Sequence, residues 1–194
     1  MWTGDPAAPS LSTVDDRLYV DDLLDYLDET QCIDVNRIYA FGFSNGGGLV
    51  DLLACHEKTA PRIAAFGATS AAVYKQPLFA DCPSRAAPVP FLEFHGTADP
   101  VIFYDGNDTP DGPTYPVQDR MKHWATINGC SPDAKNTTTQ LHKGKVQEYS
   151  FSCESYENVV THYRIEGFGH GKRDSDLSSE VPSKYRQVSL RRHP

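Results

Sequence analysis

Residues 37–56 read RIYAFGFSNGGGLVDLLACH, and this stretch decides the fold. The apolar run at residues 37–41 predicts a buried strand, and Leu49, Leu52 and Leu53 restart a helical period soon afterwards. Between them, a serine and an asparagine are followed by three glycines, although each glycine inside a helix costs about 1 kcal/mol relative to alanine. The corner between strand and helix therefore needs backbone freedom and close approach more than local stability.

Residues 42–46, GFSNG, match the G-x-S-x-G elbow and lie between a predicted strand and a predicted helix, as that motif requires. We expect glycine at Gly42 and Gly46 because side chains there would collide with neighbouring backbone, and the two glycines that follow would let the helix pack closely on the sheet. The turn would hold the hydroxyl of Ser44 over the C-terminal edge of the strands. The backbone N–H of Asn45 would supply one donor for an oxyanion. A glycine-rich helix start with an ordinary capping serine is the alternative.

Strands that alternate with helices predict an α/β fold with a mostly parallel sheet and flanking helices. Apolar residues between Val20 and Leu27 recur at helical spacing, and either Thr13 or Asp15 could cap the start of that helix. The remaining predicted elements are strands at residues 63–67, 89–94 and 159–165 and a helix at about residues 116–128. We expect one domain over residues 1–171 and a polar, basic, poorly packed tail over residues 172–194.

The charge balance argues against two classes of partner. The formal net charge is -8, with 26 acidic against 18 basic residues, which disfavours binding to nucleic acid or to anionic membranes. No apolar stretch approaches the length of a membrane span, and the first residues lack the charged start and apolar run of a signal peptide. The composition does not specify an oligomeric state.

Cysteine usage favours a secreted protein. Five cysteines are many for a cytosolic enzyme, they show no metal-ligand spacing, and their odd number leaves one without a partner in the chain. Sequons for N-glycosylation at Asn107 and Asn136 fit the same setting. The cysteines are Cys32, Cys55, Cys82, Cys130 and Cys153.

A nucleophilic serine needs a base, and the base needs an acid that orients it; behind this type of elbow the chain order is serine, acid, histidine. The acid candidate is Asp99 in FLEFHGTADPVI, at the exit of the third predicted strand, with Asp105 in reserve and a solvated turn aspartate as the alternative. The base candidate is His170 in YRIEGFGHGK, a glycine-rich loop after the last strand. By contrast, His162 lies within that strand, and we expect His95 to shape the turn of Asp99.

With these residues in place, the chain resembles the secreted fungal feruloyl esterases of the α/β-hydrolase fold, close relatives of the polyhydroxybutyrate depolymerase-like and carbohydrate esterases. The likeness extends from about Trp2 to His170 and rests on CIDVNRIYAFGFSNGGG, PVPFLEFHGTADPVI, WATINGC and YRIEGFGH. It implies a serine esterase that releases ferulic or related hydroxycinnamic acids from plant cell-wall arabinoxylan, or acts on small aromatic esters, without metal or cofactor. Ser44, Asp99 and His170 fall on the family's triad positions.

Two departures from the family pattern shape our expectations. The residues before Ser44 contain no His/Gly-rich loop of the kind that donates the second oxyanion N–H, and residues 172–194 do not resemble the family's closing helix. We therefore expect a chain shortened at its N-terminus, with the export signal upstream, and altered at its C-terminus. An acetylxylan esterase, a polyhydroxybutyrate depolymerase-like esterase or a catalytically silent fragment are the alternatives.

The same comparison suggests which cysteines pair. Our preferred pairs are Cys130 with Cys153 and Cys55 with Cys82, and Cys32 would have its partner upstream. Spacing alone does not determine the connectivity.

Overall fold

The computed structural model describes residues 1–80, 82, 88–110, 112–130, 137–153 and 156–171. Its six strands are β1 Tyr39–Phe43, β2 Ala65–Thr69, β3 Phe91–Gly96, β4 Thr137–Leu141, β5 Val146–Cys153 and β6 Tyr156–Ile165. They form one sheet in the order β1-β2-β3-β6-β5-β4. The pairs from β1 to β6 along this order are parallel, and β5 pairs antiparallel with both β6 and β4. The predicted α/β class with a mostly parallel sheet is confirmed.

The helices connect and cover the strands. They are α1 Asp16–Thr30, α2 Asn45–Cys55, α3 Pro77–Ala80 and α4 Val117–Ile127, with 3-10 turns at Ala60–Arg62 and His142–Gly144. At the start of α1, the side chain of Asp15 accepts a hydrogen bond from the backbone N–H of Arg17, so Asp15 is the cap rather than Thr13. No described helix combines the length and the apolar character that crossing a membrane requires.

The prediction of a buried first strand is wrong. β1 lies at the edge of the sheet, where Tyr39 and Phe41 are 66% and 64% exposed. Only alternate residues such as Ala40 face α2 and the core. An aromatic run indicates that a strand is apolar, but it does not indicate which elements cover each face.

The β4–β5 hairpin was not predicted from the sequence. Its strands read TTTQL, with a single apolar residue, and VQEYSFSC, in which only Tyr149, Phe151 and Cys153 form a short alternating pattern. In the structure β5 is held by its antiparallel pairing with β6, whose apolar residues are the stronger strand signal. Tertiary pairing therefore decides the conformation of this segment.

The core lies between the sheet and the helices α2 and α4. Leu52 of α2 is buried, and the ring of Trp124 in α4 stacks on Phe91 of β3 with the ring centroids 4.8 Å apart. A buried ion pair joins Asp51 of α2 to Arg120 of α4, and the indole N–H of Trp124 donates to the same carboxylate at 2.8 Å. These contacts fix α2, whose N-terminus carries the elbow.

Two disulfides form as predicted. Cys55 at the end of α2 is bonded to Cys82, and Cys130 after α4 is bonded to Cys153 at the end of β5. Within the described part of the chain Cys32 is a free, exposed thiol. The predicted tail at residues 172–194 and the sequon at Asn136 lie outside the described residues, so the division at residue 171 stays a prediction.

Candidate active site

Ser44 lies at the sharp turn between β1 and α2. Its backbone has φ 55° and ψ -122°, a conformation that costs a non-glycine residue about 1–3 kcal/mol. Its N–H donates to the carbonyl of Thr69 at 3.0 Å, and its own carbonyl accepts from the N–H groups of Gly48 and Ala72 at 3.1 and 3.0 Å. The surrounding backbone therefore holds the strained residue from both sides.

Glycine occupies the positions of the elbow for different physical reasons. A Cβ on Gly42 would lie 2.1 Å from the carbonyl oxygen of Gly46, so this position requires glycine. A Cβ on Gly46 itself would meet no atom within 4 Å, so the expected collision at Gly46 is wrong. At Gly47 and Gly48 a Cβ would approach Ala71 and Ala72 to 3.0 and 2.4 Å, which means that the helix start packs against the segment that follows β2.

The structure brings the three predicted site residues together. The Nε2 atom of His170 is 2.9 Å from Ser44 Oγ, and its Nδ1 atom is 2.8 Å from Asp99 Oδ2. An ionised carboxylate can only accept, so Nδ1 carries the proton and Nε2 is free to accept from the serine hydroxyl. Ser44, Asp99 and His170 follow three parallel strands, β1, β3 and β6, whose carboxyl ends meet at one edge of the sheet.

Asp99 is held as a buried carboxylate. Its Oδ1 atom accepts hydrogen bonds from the backbone N–H groups of Val101 and Ile102 at 2.9 and 2.8 Å. Burial alone would raise the pKa of Asp99, but the hydrogen bonds from His170 and from these two N–H groups outweigh it and hold the pKa below its usual value. The alternative of a solvated turn residue does not describe Asp99, whereas the reserve candidate Asp105 is exposed.

A second pair of ionisable side chains lies behind Asp99. His95 Nδ1 is 3.0 Å from Glu93 Oε1, and His95 Nε2 is 2.9 Å from the carbonyl oxygen of Ile102 and 3.4 Å from Asp99 Oδ2. The expectation that His95 shapes this turn agrees with these contacts. Glu93 was not among the predicted site residues, and its position among buried residues of β3 was the available signal.

The first residues of the chain lie beside the elbow. The side-chain oxygen of Asn45 accepts from the backbone N–H of Trp2 at 2.7 Å, and its amide donates to Asp5 at 3.3 Å. Asp5 also accepts from the hydroxyl of Tyr74 at 3.2 Å. The backbone N–H of Asn45 belongs to the first turn of α2, where helix N–H groups lack partners within the helix. Sequence patterns gave no signal for the contact with Trp2.

An exposed aromatic ring borders the serine and the histidine. Phe43 precedes Ser44, and its ring centroid is 4.9 Å from that of His170 at an interplanar angle of 45°. A Cβ on Gly171 would collide with the same ring, so Phe43 packs against the loop that carries His170. Among the described residues, no group of three or more His, Cys, Asp or Glu side chains is arranged to hold a metal ion.

Comparison with known proteins assigns the chain to a family. The family model of phospholipases and carboxylesterases matches residues 13–109, half of the chain. The chain belongs to this family. The match includes the elbow and Asp99 and supports the esterase interpretation of the fold.

Individual relatives carry the comparison further. Feruloyl esterase B of Piromyces equi is 29% identical over 187 residues, which cover 91% of this chain and 33% of that protein. Feruloyl esterase C of Emericella nidulans is 30% identical over 118 residues, 61% of this chain and 37% of that protein. Probable feruloyl esterase C of Aspergillus flavus is 33% identical over 116 residues, 60% of this chain and 37% of that protein. The predicted resemblance to feruloyl esterases is confirmed, and the chain spans about a third of the length of these curated relatives.

Proposed function

We propose that the protein is a serine carboxylic ester hydrolase that acts through an acyl-enzyme. The observation that carries this proposal is the hydrogen-bonded series from Asp99 through His170 to Ser44, at a strained elbow that follows the carboxyl end of β1. Nucleophile, base and orienting acid are the groups that acyl transfer needs. Membership of the carboxylesterase family supports the same reaction class.

In the proposed reaction Ser44 Oγ attacks the ester carbonyl carbon while its proton passes to His170 Nε2. The same proton goes to the alcohol oxygen when the ester C–O bond breaks, which leaves an acyl group on the serine. A water then gives a proton to His170 and attacks the acyl carbon, the carboxylic acid departs, and the proton returns to Ser44. Asp99 holds the imidazole tautomer and stabilises its charged form, and the Asn45 N–H is one donor to the oxyanion.

We propose feruloyl esters of plant cell-wall arabinoxylan, or small aromatic esters, as substrates. The names of the relatives support this class, and the exposed ring of Phe43 beside His170 offers a hydroxycinnamoyl group an aromatic face. A secreted, glycosylated protein is part of the proposal. The two disulfides and the Asn107 sequon support it.

A serine-directed fluorophosphonate probe tests the reaction class. We expect the folded protein to be labelled and S44A to remain unlabelled; an unlabelled but cooperatively folded wild-type protein would instead identify a catalytically silent fragment. Turnover of methyl ferulate, of short acyl esters, of acetylated xylan and of polyhydroxybutyrate then tests the substrate class. We expect the highest kcat/KM for methyl ferulate, and preference for another of these substrates would contradict the feruloyl assignment.

A further inference from the structure

Among the buried ionisable side chains to which the proposed reaction gives no role, two are neighbours on β3. Glu93 and His95 lie two residues apart on β3, so they point to the same face of the sheet, and they are 2% and 0% exposed. Burying a carboxyl and an imidazole is costly unless both find hydrogen-bond partners. His95 lies against the turn that carries Asp99, and Glu93 Oε1 also accepts from the backbone N–H of Ala71 at 3.3 Å.

The hydrogen bonds determine how His95 is oriented. The Ile102 carbonyl can only accept, so His95 Nε2 carries a proton and donates it at 2.9 Å. On the other side of the ring, His95 Nδ1 lies 3.0 Å from Glu93 Oε1. Both ring nitrogens are therefore held, and the imidazole cannot rotate without losing a bond.

The same turn supports the triad carboxylate. Ile102 accepts from His95 through its carbonyl and donates through its N–H to Asp99 Oδ1 at 2.8 Å. Asp99 Oδ2, the oxygen that takes the hydrogen bond of His170, is 3.4 Å from His95 Nε2. A shift of the His95 ring would disturb its own contact with Asp99 and the hydrogen bond from the Ile102 N–H, whereas the bond from the Val101 N–H does not involve His95.

A purely structural pair would be a poor choice at this position. Glu93 Oε2 has no hydrogen-bond partner among the described residues, although the glutamate is buried. Apolar side chains of similar volume often replace a buried polar pair without loss of stability. The presence of a polar pair is explained if its hydrogen bonds orient a neighbouring group, here the turn that carries Asp99, which apolar side chains could not do.

We propose that His95, held by Glu93, is a positioning residue that fixes the turn of residues 99–102 so that the Asp99 carboxylate faces His170. The inference rests on the proposed function, in which His170 is the base. It assigns to Glu93 and His95 no contact with substrate. Their effect passes through Ile102 and Asp99.

The decisive variant is E93L/H95F, which removes both ionisable side chains together, so that neither is left buried alone. The backbone carbonyl of Ile102 and the backbone N–H of Ala71 lose their partners in this variant, so we expect a lower melting temperature. We expect the folded variant to have a kcat for methyl ferulate at least about tenfold lower and a KM within about twofold, because the groups that contact substrate are unchanged. The NMR resonance of the His170 Nδ1 proton in its bond to Asp99 reports the same alignment without turnover. It should move upfield or disappear.

Single variants supply the rescue test. E93Q keeps an amide oxygen that can accept from the backbone N–H of Ala71 and from a protonated His95 Nδ1, as Glu93 Oε1 is placed to do, whereas E93L removes that partner. We therefore expect E93Q to retain most of the wild-type kcat and E93L to lose it. The matched control is H162F. His162 is equally buried but bonds to the Tyr104 hydroxyl and to the backbone carbonyl of Glu93, so its loss should lower the melting temperature and leave the kcat of the folded protein unchanged.

The possible outcomes separate this inference from the proposed function. A folded E93L/H95F protein with wild-type kcat and an unshifted His170 proton overturns the positioning role. If the double variant does not fold, equal kcat values for folded E93L and E93Q overturn it instead. If the wild-type protein itself fails to react with the fluorophosphonate probe, the proposed function fails, and the His170 resonance in the variants still decides whether the pair positions Asp99.

Discussion

At the scale of single residues, the elbow concentrates its constraints on a few backbone atoms. Ser44 has a strained φ of 55°, and Gly42 is pressed against the carbonyl of Gly46. The two constraints belong together, because the tight turn that presents the hydroxyl also brings the strand end onto the first turn of α2. Substitutions at these positions should therefore separate steric effects on stability from the loss of the Ser44 hydroxyl.

Replacing Gly42 by alanine should damage both fold and site. The added Cβ would lie 2.1 Å from the backbone carbonyl oxygen of Gly46, and a backbone atom cannot move aside as the end of a flexible side chain can. We therefore expect a loss of at least about 2 kcal/mol in the free energy of unfolding. Urea denaturation and fluorophosphonate labelling measure the two effects. G46A is the matched control, since its Cβ meets open space; equal losses in both variants would contradict the structure.

Relaxing the strain at Ser44 should stabilise the protein while removing its nucleophile. S44G and S44A both lack the hydroxyl, but glycine adopts φ 55° without strain and alanine does not. Glycine also raises the conformational entropy of the unfolded chain, which offsets part of the strain that it relieves. We therefore expect the unfolding free energy of S44G to be about 1 kcal/mol higher than that of S44A. Calorimetric melting of the two inactive variants checks this, and an S44A protein as stable as S44G would argue against a strained elbow.

At the scale of elements, α2 is fixed to α4 by the buried Asp51–Arg120 pair. Asp51 and Arg120 are almost inaccessible, and the pair also receives the Trp124 N–H. Arg120 further donates to the carbonyl of Phe79 at 2.8 Å, which ties the short helix α3 to the same group. The position of the elbow thus depends on a buried polar contact made by the middle of α2.

Breaking this pair from one side should be severe. R120M leaves the Asp51 carboxylate buried beside a single N–H donor, and we expect a loss of about 3–5 kcal/mol in unfolding free energy. K122M is the control, because Lys122 and Asp119 form an exposed pair at 3.6 Å that contributes a few tenths of a kcal/mol at most. Comparable denaturation midpoints for the two variants would contradict this interpretation.

The sequence predicts an element correctly where the apolar pattern of the segment matches the burial of that segment in the folded protein. The helix after the elbow and the parallel strands β2, β3 and β6 carry apolar residues that match their burial, and the order of Ser44, Asp99 and His170 follows from strand exits. The exposure of β1 and the β4–β5 hairpin depend on neighbouring elements, which a local pattern does not encode. Glu93 was missed for a related reason, since a glutamate inside a strand does not identify its partner.

At the scale of the whole molecule, buried histidines link stability to pH. His162 on β6 donates from Nδ1 to the carbonyl of Glu93 and accepts at Nε2 from the Tyr104 hydroxyl. Burial lowers the pKa of His162 from 6.5 to about 4, because the charged ring would lose its solvation there. The folded protein therefore keeps this ring neutral over a range in which the unfolded chain protonates it.

This difference gives the sign of the pH dependence. Between the ordinary pKa of 6.5 and the folded value of about 4 the unfolded state binds more protons, so the unfolding free energy should fall as the pH falls, by about 3 kcal/mol at most. Urea midpoints at a series of pH values measure it. H162F should start lower at neutral pH and show a shallower decline, and parallel curves for the two proteins would exclude His162 as the source.

The sheet order has a consequence for how the protein can be assayed. Ser44 and His170 are 126 residues apart and meet only because β1, β2, β3 and β6 pair in one alignment. A slip of β6 by a single residue would turn its side chains to the opposite side and carry the imidazole away from the hydroxyl. Under the proposed chemistry, only correctly assembled chains would have a reactive Ser44. The fraction of chains labelled after refolding would therefore measure the native fraction. It would distinguish native chains from compact misassembled chains that have the same circular dichroism spectrum.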